Sequence, residues 1–211
     1  RVSLEDYVSR MKDGQDVIWY VTAENRKAAE NSPHLEIFRK KGIEVLLMSD
    51  RIDEWAMGYF NEFDGKKLRS IAKGDVDLGS DSEDKDDKKQ EDAEKDPLLK
   101  RLSEALADEV SEVRASQRLT ESASCLVLSE QELAMHMRRM LEQAGQALPD
   151  SKPVLEVNLD HQLLQQVAAI ESDEEMKDWA ELLFEQAVLA EGGQLQDPAG
   201  FVQRMNRLML K

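Results

Sequence analysis

Asp160 and His161 stand side by side, and a carboxylate beside an imidazole is a pair from which general acid–base chemistry can be built. The sequence supplies little to complete such a site. The three histidines, His34, His136 and His161, fall on separate segments without metal-ligand spacing. There is no G-x-G-x-x-G, no G-x-x-x-x-G-K-S/T and no H-E-x-x-H, so the usual phosphate and zinc signatures are missing. The single cysteine, Cys125, is followed by Leu126 and Val127 in a strand-like run and reads as a small buried hydrophobe rather than a nucleophile. One cysteine cannot form an internal disulfide, which fits a reducing cytoplasm. Asn158 is a natural N-cap, and it would place Asp160 in the first turn of the following helix, where a carboxylate suits the helix dipole. A small-ligand-binding α/β enzyme using Asp160 and His161 as acid/base groups is therefore the alternative to a function that needs no catalytic residue.

The elements that would position these residues divide into two units. A chain of 211 residues can bury one sizeable core or two modest ones, and a hydrophobic share of 41% with only 5% aromatics leans towards helix. A formal charge of −16 argues against contact with a nucleic-acid backbone, and no apolar run approaches a bilayer-spanning length, so a soluble, cytoplasmic protein is expected. The first unit, residues 1–72, opens with Ser3 as N-cap and Asp6 as its capping-box partner. "DVIWYVT" and "IEVLLMS" read as strands with helical "ENRKAAENS" and "HLEIFRKKG" between them, Gly42 stopping the second helix. Strand, helical crossover and strand imply a parallel pair in an α/β layer. A helix with Ile52, Trp55, Ala56 and Tyr59 at helical spacing follows, then "KKLRSI" as a last short strand.

Residues 73–96 form an acidic linker. From Ser80 to Asp96 nine acids and four bases leave almost nothing to bury, and Asp81/Lys85, Asp84/Lys88 and Glu91/Lys95 could support a solvated helix. The second unit, residues 97–211, is an α+β domain. Asp96 caps a helix with Pro97 at its first position, and "EVRAS", "CLVLS" and "VLEVN" read as a small three-stranded sheet. Between the last two strands, "LAMHMRRML" follows a capping box of Ser129 and Glu132 and ends at Gly145. Leu133, Met137, Met140 and Leu141 share one side of that helix, a stripe that reads either as core or as a soft apolar face for varied partners.

The last two helices carry more apolar surface than one core requires. Lys177, Asp178, Glu181 and Glu185 occupy a narrow arc, while Trp179, Leu182, Leu183 and Leu189 spread over the remainder. Phe201, Val202, Met205, Leu208 and Met209 repeat the pattern in the final helix. Packing against a second copy in a symmetric helical bundle and packing on the domain's own sheet both satisfy it.

Five collinear stretches, "NSPHLEIFRKKGIEVLLMSDRIDEW", "FDGKKLRSI", "SQRLTESASCLV", "LEVNLDH" and "LLFEQAVLAEGGQLQDPAGFVQRMNRLM", resemble the ninety-kilodalton heat-shock chaperone family, its bacterial members most closely. The resemblance implies the end of the middle domain in residues 1–72 and the C-terminal dimerisation domain from residue 97 onwards. It implies a homodimer, and the apolar surplus of the last two helices names Trp179, Leu182, Leu183, Leu189, Phe201, Met205, Leu208 and Met209 as its expected interface. It also implies a cleft that takes unfolded or partly folded client proteins, lined by Leu133, Met137, Met140 and Leu141 with Glu54, Trp55 and Met57, the methionine stripe being exposed. ATP and Mg belong, on this reading, to other parts of the parent chaperone, and this stretch is neither enzyme nor cofactor carrier. Two departures stand out: the chain ends "RLMLK" without an acidic tail for tetratricopeptide co-chaperones, and Leu159 replaces a proline common in relatives.

Overall fold

The structure, a computed structural model, describes residues 2–76, 78, 96–130, 132–146 and 151–210. The first unit begins with helix α1 (Leu4–Ser9), where Asp6 N–H donates to Ser3 Oγ at 3.1 Å and Ser3 N–H to the Asp6 carboxylate at 3.4 Å, the expected capping box. Strand β1 (Val17–Thr22) leads through α2 (Arg26–Glu30), a 3₁₀ turn (Pro33–Leu35) and α3 (Glu36–Lys41) to β2 (Leu46–Met48), which lies parallel to β1. Gly42, at φ +61°, ends α3 as foreseen. Helix α4 (Asp53–Met57) precedes a hairpin of β3 (Glu62–Phe63) and β4 (Lys66–Ser70). β4 runs parallel to β1, giving the sheet order β2-β1-β4-β3. Asp64 at φ +48° and Gly65 at φ +71° make the tight turn. A two-residue strand is too short to show a period, and β3 was not foreseen.

Alternation along β1 sorts its side chains. Trp19 and Val21 join Ala29, Leu35, Phe38 and Ile71 on one face, with the Trp19 and Phe38 rings edge to face at 5.2 Å. Ile18 and Tyr20 join Tyr7 and Leu68 on the other.

The second unit starts with α5 (Pro97–Ala105), capped by the Asp96 carboxylate, which accepts from Leu98 N–H at 2.8 Å. Strands β5 (Glu112–Ala115), β6 (Ser124–Val127) and β7 (Val154–Val157) form a sheet in the order β5-β7-β6, parallel then antiparallel. Helices α6 (Met135–Gln143), α7 (Gln162–Ala168), α8 (Asp173–Ala190) and α9 (Pro198–Met209) complete it. One face of the sheet and the stripe Met176, Ala180, Leu183, Ala187 and Val188 of α8 close a core with Leu98, Leu102 and Leu106.

Two expected helix starts are corrected. Ser129 N–H does donate to the Glu132 carboxylate at 2.6 Å, but this closes a turn only, and α6 begins at Met135. Its N-cap residue is Ala134, whose N–H is taken by Glu54 of α4 at 3.1 Å, so a remote acceptor sets the start. Asn158 likewise closes a local turn by accepting from Asp160 N–H, and His161 is the N-cap of α7.

The units pack together. The Glu36 carboxylate accepts from the backbone N–H groups of Thr120 (2.5 Å), Glu121 (2.7 Å) and Ser122 (3.0 Å). Burial would raise its pKa, yet these donors and the Ser122 hydroxyl hold it below the usual carboxylate value. Arg118, buried in the second unit, donates to Ile71 O at 2.7 Å and Gly74 O at 2.9 Å while pairing with buried Glu156 at 2.9 Å. Lys73 and Gly74 run alongside Leu128, and Asp75 pairs with Arg114, so the first residues of the expected linker lie against the second unit. The acidic run from residue 79 to 95, with its three charge pairs, lies outside the described residues.

Candidate functional site

Helix α4 turns the expected arrangement inside out. Trp55 of the helix and the flanking Ile52 and Phe60 are exposed and Tyr59 is 87% exposed, while Glu54 is only 6% exposed. Glu54 accepts from Thr22 Oγ1 at 2.5 Å, Lys73 Nζ at 2.8 Å and Ala134 N–H at 3.1 Å. Burial pushes its pKa up, but Lys73 and these hydrogen bonds outweigh burial and hold it below the ordinary value. The carboxylate is thus committed to the protein and closed to any external ligand. Met57 packs at the margin of the Tyr7 cluster. An apolar i, i+3, i+4, i+7 pattern normally marks a buried face, and here a helix of five residues has no second layer over it.

Helix α6 faces the ends of β1 and β2 across a cleft of about 340 Å³ lined by Ala23, Glu24, Asp50, Arg51, His136 and Met140 among others. The expected open methionine stripe is split. Met137 is 1% exposed, Met140 is 39% exposed, and Leu133 and Leu141 are half-buried. The correction follows from docking: anchored by Glu54 at Ala134, the first turn of α6 points Met137 inward. Met135, which periodicity sets among the charged residues, packs against the main core. His136 is half-buried, and burial lowers its pKa.

The candidate acid/base pair is otherwise employed. His161 Nδ1 accepts from Leu163 N–H at 3.1 Å as the cap of α7, and neither Asp160 nor His161 lines the cleft beside α6 or the one at Glu5, Val8 and Phe63. Among the described residues no group of three or more His, Cys, Asp or Glu could hold a metal. Cys125 is buried, and burial pushes its thiol well above the ordinary value, as expected of an inert side chain.

At the other end, α9 lies on the polar arc of α8. Arg204 reaches the carboxylates of Glu181 and Glu185, and Arg207 pairs with Asp178 at 2.6 Å. The acids of that narrow arc are therefore half of a helix–helix clasp, a pairing legible only once Arg204 and Arg207 are set opposite them. Consequently the apolar stripe of α9 is divided, with Leu208 covered within the chain and Val202 and Met209 left open. Phe201 and Met205 are half-buried, Val202 is exposed, and Met209 and Leu210 are 76% and 88% exposed. On α8, Leu189 is exposed and Trp179 half-buried, whereas Leu182 and Leu183, like Leu208 of α9, are already covered within the chain. Val202 and Leu210 join the open surface without having been singled out as interface residues.

No helix among the described residues is long and apolar enough to cross a membrane. The chain is 54% identical over 209 residues to the chaperone protein HtpG of Legionella pneumophila (strain Paris), covering 99% of this chain and 33% of that protein. It is 56% identical over 212 residues to that of Bordetella parapertussis, covering 100% and 33%. With the counterpart of Chromobacterium violaceum the identity is 51%, covering 100% and 34%. The chain thus spans about a third of the length of the relatives it matches. The family model described as Hsp90 protein matches residues 1–211 throughout, and the chain belongs to the Hsp90 family.

Proposed function

We propose that this stretch of the chain pairs two copies of a molecular chaperone through α8 and α9 and offers a client-binding face built from α4 and α6. The observation that carries the reading is the clasp of Arg204 and Arg207 on α8, which leaves Val202, Met209 and Leu210 uncovered at one end of the chain. Contiguous exposed apolar surface is costly unless something covers it, and a two-fold copy of the same helices is the economical solution. At the other site, Met140 lines the cleft beside α6 and Ile52, Trp55 and Tyr59 in and around α4 are exposed; an unbranched thioether and exposed aromatics adapt to varied apolar segments. Nucleotide hydrolysis, with its ATP and Mg, is assigned to the remaining two thirds of the parent protein; the phosphate-binding signatures are missing from this sequence.

The client face is tested by replacing Trp55 and Met140 with serine together. Both side chains are exposed, so circular dichroism and melting temperature should stay as in the wild type. Affinity for reduced, carboxymethylated α-lactalbumin, an unfolded apolar protein, should fall about tenfold or more, as expected when two exposed anchors are lost. Unchanged affinity with an intact fold would reject this face as the client site.

A further inference from the structure

We propose that the Glu54 carboxylate is a latch on α6, holding the helix docked with Met137 covered, and that releasing Ala134 opens the Met137 side; the inference rests on the α4–α6 client face proposed above. Ala134 is the N-cap residue of α6 and makes no side-chain cap of its own, and its N–H is held by Glu54 Oε1 at 3.1 Å. Met137 lies less than one turn further on, its N–H bonded to Ala134 O at 2.9 Å, so whatever moves the cap moves the methionine. Met140, on the same stripe, already reaches the surface, and the cleft beside it gives the released helix room.

The design of the contact favours reversible opening. When Ala134 leaves, Glu54 keeps Lys73 Nζ at 2.8 Å and Thr22 Oγ1 at 2.5 Å, so no buried charge is stranded and one charge-assisted hydrogen bond is lost. Lys73 belongs to the segment that joins the two units and runs beside Leu128, six residues before the latch point. A shift of one unit against the other therefore acts directly on the Glu54 carboxylate, which makes the client face responsive to how the units sit.

The test is Ala134→Pro in the full chain. Ala134 has φ −56° and ψ 146°, which proline adopts without strain, so the substitution deletes the N–H and leaves Glu54, Lys73 and Thr22 in place. Amide exchange across residues 135–143 should accelerate about tenfold or more, the factor expected from losing one hydrogen bond to a charged group, with α8 unchanged. Met137 sulfoxide formation by peroxide should rise relative to that of Met176, which lies in the main core. Unaltered exchange and unaltered Met137 oxidation would overturn the latch. Should the proline variant lose its overall fold, Glu54→Gln decides by the same ratio, a faster α6 with an unchanged α8 supporting the latch and equal rates overturning it. Binding of carboxymethylated α-lactalbumin is measured in parallel: faster α6 exchange without tighter binding keeps the latch and rejects the client-face reading, so the two fail separately.

Discussion

His34 Nε2 and Glu191 Oε1 lie 2.8 Å apart, joining the first unit to the turn after α8 across 157 residues of sequence. His34 is fully buried, and its Nδ1 has no hydrogen-bond partner among the described residues, so Glu191 is the group that satisfies this ring. Glu191→Ala should destabilise the chain by about 1–3 kcal/mol, the cost of leaving a buried donor unpaired, whereas Glu191→Gln keeps an acceptor oxygen and should cost about 1 kcal/mol or less. Urea unfolding of both variants measures this. Equal midpoints for Glu191→Ala and the wild type would mean that the contact contributes nothing.

Arg118 gives a second, stronger expectation. Its partner Glu156 is buried, and its own guanidinium reaches Ile71 O and Gly74 O across the unit boundary. Arg118→Met should cost about 3 kcal/mol, the lower end for breaking a buried pair, because Arg114 still holds Glu156 at 2.9 Å. Guanidinium melts would expose the error if the variant were as stable as the wild type.

Acid should lower the stability of the chain in two steps. Burial lowers the folded-state pKa of His136 below its unfolded value near 6.5, so the folded chain binds this proton less readily. Its contribution is complete above that pH and is lost as pH falls through the folded value. Glu54 and Glu36, both held below 4.5, contribute above that value and lose their contribution further into acid. Glu185, raised chiefly by burial, has the opposite sign and offsets part of the second step. His136→Gln should flatten the change in urea midpoint between pH 7.5 and 5.5; an identical slope in wild type and variant would remove His136 from the account.

Strands, crossovers and most caps were legible because each depends on a few neighbouring residues. The β-branched run at 17–22, the capping box of Ser3 and Asp6, and Asp96–Pro97 are local signals that the structure repeats. Tertiary partners were not legible. Glu54 is an acid in a short amphipathic pattern and gives no hint that Lys73, Thr22 and Ala134 converge on it. The same blindness misplaced the start of α6, since a capping box at Ser129 and Glu132 cannot compete with an acceptor supplied from another unit. The partners of Asp178, Glu181 and Glu185 stayed hidden because a helical wheel holds one helix at a time, and their arginines are on the next. The family resemblance carried the overall assignment, while the roles of single side chains had to come from geometry.

The mass of the chain in solution tests the central claim most directly. If the open part of α9 meets a second copy, light scattering at micromolar concentration should give twice the 24.0 kDa of one chain, and a chain ending at Gln196 should give a single mass. A full-length chain that remains at 24.0 kDa under those conditions would contradict the account.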